Sequence, residues 1–156
     1  MEKDFNLTYF QIGNLKIGDD FKPLIIADIG INHGGNLKVA ISIVDKAIAA
    51  GATVIKHQTH IPDDEMSIEA KNVIPGNSDR SIYEIISSCA LNENDELYLK
   101  EYIEARGSLF LSTPFSREAV ERLAQFGVLG FKVGSGECNN YPLLRCIAKH
   151  RKPVIL

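Results

Sequence analysis

Lys132 stands in a stretch whose residue types could bind an anion. It comes two residues before the turn Gly134-Ser135-Gly136, and Glu137 follows that turn. A backbone without Cβ atoms can curl its N–H groups toward an anion. On a strand, Lys132 would share one face with Gly130 and Gly134, which would leave space in front of its ammonium group. The stretch outlines a phosphate or carboxylate site, although a solvated lysine before an ordinary loop would have the same residues.

Polar side chains also end the other predicted strands. In α/β folds with parallel strands, reactive groups gather at the carboxyl ends of the strands, because the loops there converge on one mouth. Two lysines directed at one mouth would repel each other unless an anion lay between them, so the substrate should carry phosphate and carboxylate together. The predicted strand-end residues are Asp28, Lys56, Gln58, Thr113, Lys132, Ser135 and Glu137.

The histidines are weaker candidates for chemistry. His57 and His60 have a spacing found in metal pairs, but residues three apart on an extended chain face opposite ways, which argues against a zinc site. His33 is interpreted as a residue that satisfies a loop. The long polar connection over residues 59–80 is expected to be a functional loop or lid, and its acidic run at 63–65 is interpreted as a solvated face.

These side chains must be positioned by strands and helices, which the sequence predicts as short apolar runs that alternate along the chain with helical patterns. A hairpin is predicted around Gly13 and Asn14, and the main helices are predicted by apolar residues at helical spacing between short polar caps and glycines. The predicted strands after the hairpin are residues 24–29, 53–58, 108–112, 130–133 and 153–156. The predicted helices are residues 37–50, 81–89, 93–106, 116–126 and 141–150.

This order of elements predicts a parallel sheet. The first strand after the hairpin is continuously apolar, as expected when both faces are covered, and the repeating strand-helix unit requires right-handed crossovers. The sequence therefore predicts an α/β fold, a (β/α)8 TIM barrel of which residues 1–156 hold the hairpin and about the first five strands. An open doubly wound sheet is the alternative, and it would bind a ligand at the same strand ends.

Composition narrows the function classes further. The chain has 156 residues, of which 45% are hydrophobic and 24% charged, as in an ordinary globular domain. A net charge of −3 gives no basic field for nucleic acid. Three cysteines without metal-type spacing indicate reduced thiols. With no apolar run near the roughly 20 residues of a membrane span, and no signal-peptide pattern at the start, the sequence predicts a cytoplasmic protein without membrane partners.

Four ordered motifs resemble those of the bacterial sialic acid synthases, the N-acetylneuraminate synthase family. They are residues 25–33 (IIADIGINH), 56–60 (KHQTH), 112–116 (STPFS) and 132–140 (KVGSGECNN). The resemblance implies condensation of phosphoenolpyruvate with N-acetylmannosamine, release of phosphate, and a divalent metal, Mn²⁺ or Mg²⁺. It also implies a barrel followed by a small antifreeze-like domain, absent from this chain, and a homodimer of the full-length protein.

The resemblance also implies roles for single residues in binding phosphoenolpyruvate. Lys56, Thr113 and Lys132 would hold its carboxylate, and Lys132 and Ser135 would reach its phosphate. The lysines would stabilise charge on the substrate throughout the reaction. Lys56 and Lys132 are therefore predicted to be catalytic, and Thr113 and Ser135 to bind substrate.

Other residues are implied to face the acceptor sugar or the reacting carbons. Gln58 and Asn77 would bind the acceptor, and Glu137 would be catalytic. Asp28, also predicted to be catalytic, stands where the family usually has glutamate, so its reach is one methylene shorter. The family's metal ligands would lie beyond this chain, which is therefore expected to be inactive alone, and the open edges of its sheet are expected to promote association.

Three alternatives remain open at this stage. Residues 56–60 with 64–67 resemble the neuraminate branch, but synthases of legionaminic or pseudaminic acid use other aldehydes. A related phosphoenolpyruvate aldolase could act on a sugar phosphate. The chain could also be a non-catalytic half-barrel that binds an anion or a partner.

Overall fold

The computed structural model describes residues 9–156. The first described element is the predicted hairpin, made of β1 (Tyr9–Ile12) and β2 (Leu15–Gly18) in antiparallel register. Its two-residue loop places Gly13 at a φ of 58°. Two-residue hairpin loops need a positive φ at their first position, and glycine adopts it without strain.

A sheet of five parallel strands follows, and its spatial order is the order of the sequence. A doubly wound sheet would reverse direction at a switch point. The sequential order therefore rules out that alternative and confirms the first part of a singly wound (β/α) barrel. The strands are β3 (Ile26–Gly30), β4 (Val54–Thr59), β5 (Leu109–Pro114), β6 (Phe131–Lys132) and β7 (Val154–Ile155).

Helices connect the strands, and short polar side chains begin most of them. Asn36, Ser81, Asn92, Ser116 and Asn140 each accept a backbone N–H of the helix that follows, as helix N-caps do. None of the helices in the described part of the chain could span a membrane. The helices are α1 (Leu37–Ala49), α2 (Pro62–Glu65), α3 (Ile82–Cys89), α4 (Glu93–Ala105), α5 (Arg117–Gln125) and α6 (Tyr141–Lys149).

One apolar cluster lies between the sheet and the helices. Ile55, Phe110 and Phe131 of neighbouring strands are at most 1% exposed there, and α1, α4, α5 and α6 contribute buried residues to the same cluster. Because these four helices pack on the same face of the sheet, the opposite face is left to form the inside of a barrel.

The hairpin covers that opposite face at the amino ends of the strands. Ile12 packs there with Val54, Leu109 and Leu111 in a second apolar cluster. A Cβ on Gly130 would lie 3.0 Å from the carbonyl oxygen of Pro153 and 3.5 Å from Ile12. The expectation that Gly130 leaves free space beside Lys132 is therefore wrong, because a neighbouring chain segment and the hairpin occupy it.

Replacing Ile12 by alanine is expected to lower the free energy of unfolding by about 2 kcal/mol, because its buried side chain joins the hairpin to the sheet. Phe10 on the same strand is 43% exposed, so Phe10→Ala is the matched control and should cost less than about 1 kcal/mol. Urea denaturation measures both. Equal losses for the two variants would contradict this docking of the hairpin.

Candidate active site

The strand register brings the predicted residues of three strands to one region. Asp28 pairs in register with Lys56, and Gln58 pairs with Thr113. Side chains alternate along strands, so Lys56, Gln58 and Thr113 share the face opposite the helices, toward the carboxyl ends. The structure therefore brings these four residues together, as the sequence predicts.

Lys56 is compensated by a carboxylate of the protein itself. Its ammonium nitrogen lies 3.0 Å from Asp28 Oδ1, and the Lys56 side chain is 10% exposed while that of Asp28 is 57% exposed. The expectation that only a bound anion could relieve repulsion between the two lysines is therefore wrong, because Asp28 neutralises one of them. The exposed side of Asp28 remains open to a ligand.

Lys132 and Thr113 form the other half of this region. Phe131 pairs with Ser112, so the next residues, Lys132 and Thr113, project from neighbouring strands on the opposite face. Thr113 is 2% exposed, and its hydroxyl oxygen is buried without a hydrogen-bond partner among the described residues. No carboxylate within residues 9–156 forms an ion pair with Lys132. A cation next to an unpartnered buried hydroxyl can bind an anion.

The glycine-rich turn after Lys132 is a short helical turn. Gly134 has a φ of −65°, and Ser135–Glu137 form one turn of 3₁₀ helix in which Glu137 N–H donates to the Gly134 carbonyl at 2.9 Å. Thr113 and Phe115 would contact a Cβ on Gly134 at 3.5 and 3.6 Å. The glycines therefore do not curl the backbone through the left-handed region, and Ser135 is an exposed residue of this turn.

Glu137 lines a small cavity beside the strand ends, and Gln58 contacts one of its wall residues. Glu137 Oε2 accepts from the Asn140 amide at 2.6 Å and lines a cavity of about 250 Å³ together with His60 and Phe115. The His60 ring stacks on Phe115 with centroids 4.3 Å apart, and its Nε2 lies 3.1 Å from Gln58 Oε1. The cavity thus has an aromatic wall beside Glu137, and Gln58 contacts the His60 ring of that wall.

The predicted solvated acidic face is only partly correct. Asp63 and Asp64 are exposed, but the Glu65 side chain is 6% exposed and its carboxylate lies 3.0 Å from His60 Nδ1. Because an ionised carboxylate only accepts hydrogen bonds, Glu65 fixes the orientation of the His60 ring. The reason for the error is tertiary, since α2 turns Glu65 back toward the end of β4.

Asn77 is the predicted site residue that the structure leaves apart. It lies in an exposed turn where Ser78 N–H donates to the Pro75 carbonyl at 3.1 Å. Within residues 9–156, no hydrogen bond links its side chain to another predicted site residue. Asn77 belongs to the long connection between β4 and α3, which also contains a 3₁₀ turn at Ala70–Asn72.

A buried polar cluster on the helix side of β4 was missed by the sequence reasoning. His33 Nε2 lies 3.2 Å from His57 Nε2, and His57 Nδ1 lies 3.2 Å from Glu96 Oε1. The signal was present in β4, where polar residues occupy consecutive positions of a strand that is buried on both faces. Such a strand must place polar groups against partners on both sides.

Burial keeps His33 neutral. It lowers the pKa of the His33 imidazole from 6.5 to about 4, and neighbouring His57 acts in the same direction. The carbonyl of Gly30 and the carboxylate of Glu96 oppose this shift, while His60 adds to it more weakly. His33 Nδ1 also accepts the backbone N–H of Gly35 at 3.2 Å, as expected of a residue that satisfies a loop.

Acid should therefore destabilise the fold through His33. Between pH 6.5 and about 4 the unfolded chain binds a proton at His33 that the folded chain does not, so stability is present above this range and is lost as the pH falls through it. The loss is at most about 3 kcal/mol. His33→Asn should show a smaller loss between pH 7 and pH 4.5 in urea denaturation. The same pH dependence in both proteins would contradict this.

The described residues do not form a metal centre. No group of three or more His, Cys, Asp or Glu side chains within residues 9–156 is arranged to hold a metal ion. His57 and His60 contact different carboxylates, Glu96 and Glu65 respectively.

The fold and the strand-end residues define part of a (β/α) barrel with a polar mouth. The chain belongs to the NeuB family, whose model matches residues 43–156. A pseudaminic acid synthase of Campylobacter jejuni is 35% identical over 94% of this chain and 43% of its own length. An N,N'-diacetyllegionaminic acid synthase of Legionella pneumophila is 33% identical over 89% of this chain and 40% of its own.

A solved structure supports the same relationship. The crystal structure of the N-acetylneuraminic acid (sialic acid) synthetase from Leptospira borgpetersenii, in complex with citrate, superposes with a TM-score of 0.80 at 29% identity. The match covers 94% of this chain and 48% of that one. The chain spans 43% and 40% of the two curated relatives above.

Proposed function

We propose that this chain is part of a synthase that condenses phosphoenolpyruvate with the open-chain aldehyde of an amino sugar and releases phosphate. The observation that carries the proposal is the placement of Lys132, which forms no ion pair with a carboxylate among residues 9–156, on the strand beside Thr113, whose buried hydroxyl has no hydrogen-bond partner among the same residues. Membership of the NeuB family supports the same reaction class.

Phosphoenolpyruvate lies across the carboxyl ends of β4, β5 and β6 in this proposal. Lys56, Thr113 and Lys132 bind its carboxylate, and Lys132 and Ser135 bind its phosphate. Charge-assisted hydrogen bonds of this kind are stronger than neutral ones. The Lys56 ammonium would share its protons between Asp28 and the substrate, so Asp28 orients Lys56 as well as facing the acceptor.

The reaction forms one carbon–carbon bond. C3 of phosphoenolpyruvate attacks the aldehyde carbon of the acceptor, water then adds at C2, and the C–O bond breaks to release phosphate. Gln58, Glu137 and Asn77 contact the acceptor or the reacting carbons. Asn77 reaches them only if the exposed connection that carries it closes over the substrate.

A divalent metal, Mn²⁺ or Mg²⁺, would supply Lewis acidity toward the aldehyde in the complete enzyme. We place its ligands outside this chain, because residues 9–156 offer no suitable group. The proposed complete enzyme is a cytoplasmic homodimer.

N-acetylmannosamine is the acceptor that we propose first. A second acceptor class, that of the pseudaminic and legionaminic acid synthases, is supported by a specific observation. Those relatives are 35% and 33% identical to this chain, against 29% for the sialic acid synthetase of known structure. Assays with the three acceptor types separate these candidates.

The proposal is tested in two stages. The chain itself should bind phosphoenolpyruvate in a calorimetric titration but should not sustain sugar-dependent phosphate release. A longer protein that contains the remaining barrel should release phosphate with one of the acceptors. No binding to the chain would overturn the proposed site. Binding without turnover in the longer protein would favour a non-catalytic anion-binding function.

A further inference from the structure

The strands that carry the proposed substrate site carry a second polar cluster on their other face. Along β4, Lys56 and Gln58 face the inside of the barrel, whereas His57 and Thr59 face the helices. The members of this helix-side cluster are each at most 3% exposed apart from Arg122, whose side chain is 17% exposed. They are His33, His57, Thr59, Glu96, Ser112 and Arg122.

Glu96 of α4 is the centre of the helix-side cluster. Its carboxylate is 1% exposed and accepts from the Thr59 hydroxyl and from Arg122 Nη1 at 3.3 Å. Thr59 Oγ1 in turn lies 2.7 Å from Ser112 Oγ on β5. Truncating one partner of a buried ion pair leaves an uncompensated charge. The carboxylate therefore holds α4 directly against β4, and through Thr59 it also holds α4 against β5.

The hydrogen bonds also fix the protonation of both imidazoles. Gly35 N–H donates to His33 Nδ1, so neutral His33 carries its proton on Nε2 and directs it at His57 Nε2, 3.2 Å away. His57 then carries its proton on Nδ1, which faces the carboxylate of Glu96 at 3.2 Å. This last contact is close but poorly directed, because His57 Nδ1 has no hydrogen-bond partner of good geometry in the described part of the chain. The hydrogen bond from Gly35 therefore sets both tautomers, and the resulting proton on His57 Nδ1 faces the Glu96 carboxylate.

We infer that Glu96 is a positioning residue for the strand-end site on the opposite face. One route runs through Thr59 and His57, which fix the β4 backbone from which Lys56 and Gln58 project. This inference rests on the proposed function for the identity of the ligand, phosphoenolpyruvate, but not for the geometry of β4.

The second route runs through the two histidines to the loop after β3. His57 contacts His33, which in turn holds Gly35, so a change at Glu96 reaches the segment that follows Asp28. Asp28 is the partner of Lys56 at 3.0 Å. Both routes therefore end on the same ion pair of the proposed site. Displacing catalytic groups even slightly can lower activity strongly.

The variant Glu96→Gln tests the inference, because glutamine keeps the size of the side chain and removes its charge. The matched control is Glu104→Gln on the same helix, where the carboxylate is 36% exposed and pairs with Lys100. We expect Glu96→Gln to move the NMR signals of the His33 and His57 imidazole nitrogens and the amide signals of Lys56 and Gln58. It should also weaken phosphoenolpyruvate binding about tenfold. The control should leave all of these unchanged.

Unchanged amide signals of Lys56 and Gln58 in Glu96→Gln would overturn the inference. If that variant does not fold, Thr59→Val replaces it, with the same expected shifts at Lys56 and Gln58 and the same overturning result. In the unmodified chain, a proton on His33 Nδ1 or on His57 Nε2 would also overturn it. If the unmodified chain does not bind phosphoenolpyruvate, the proposed function fails, while the imidazole and amide signals still decide the inference.

Discussion

Replacing Lys132 by alanine is expected to weaken the binding of phosphoenolpyruvate about a hundredfold, which corresponds to about 3 kcal/mol. The physical reason is that Lys132 has no carboxylate partner within residues 9–156, so its charge is available to the ligand. Lys56 cannot replace it, because Asp28 already compensates that lysine at 3.0 Å. Calorimetric titration of the folded variant measures the change.

Two further variants separate charge from packing. Lys132→Met keeps the aliphatic chain and should weaken binding as strongly as alanine does. Lys152→Ala removes a half-buried lysine before β7, at the opposite ends of the strands, and should leave affinity unchanged. Affinity of Lys132→Ala equal to that of the unmodified chain would show that the anion does not bind at the carboxyl end of β6.

Replacing Gly35 by alanine is expected to lower the free energy of unfolding by about 4 kcal/mol, since a left-handed conformation and a steric clash coincide there. Gly35 has a φ of 73°, and a Cβ would lie 2.5 Å from the carbonyl oxygen of Ser88 in α3. That oxygen is backbone and cannot rotate away. The variant should also displace His33, which accepts the N–H of Gly35.

The neighbouring glycine provides the control for this prediction. Gly34 also has a positive φ, of 57°, but a Cβ there would meet nothing within 4 Å. Gly34→Ala should therefore cost only about 1 kcal/mol, the price of the left-handed conformation alone. Urea denaturation of both variants measures the difference. Equal losses would contradict the close approach of this loop to α3.

The fold could be predicted from sequence because its signals are local. Apolar runs end in polar residues at the first four strands of the sheet, and a polar cap begins most helices, so the elements follow largely from neighbouring residues. The predicted boundaries differ by a few residues at most from those of the structure, as for β4, predicted over 53–58 and found at Val54–Thr59. The sequence favours the singly wound order of strands, but only the strand pairing in the structure rules out the doubly wound sheet.

The site could be predicted only in part. Lys56, Gln58 and Thr113 follow from the rule that strand ends converge, and the structure places them together with Asp28. Asn77 does not follow that rule, because its position depends on how a long connection folds. The 3₁₀ turn at Ser135–Glu137 does not follow from the sequence either, since glycine permits several backbone conformations and selects none of them.

The sequence by itself determined the order of the elements, the alternation that separates the two faces of β4, and the polar residues at the strand ends. Only the tertiary structure decided how their charges are compensated and which spaces are filled. Asp28 and Lys56, or Glu96 and His57, are far apart in the chain and meet only when the sheet and helices pack. Such contacts depend on register and packing between distant segments, and no local pattern of residues records them.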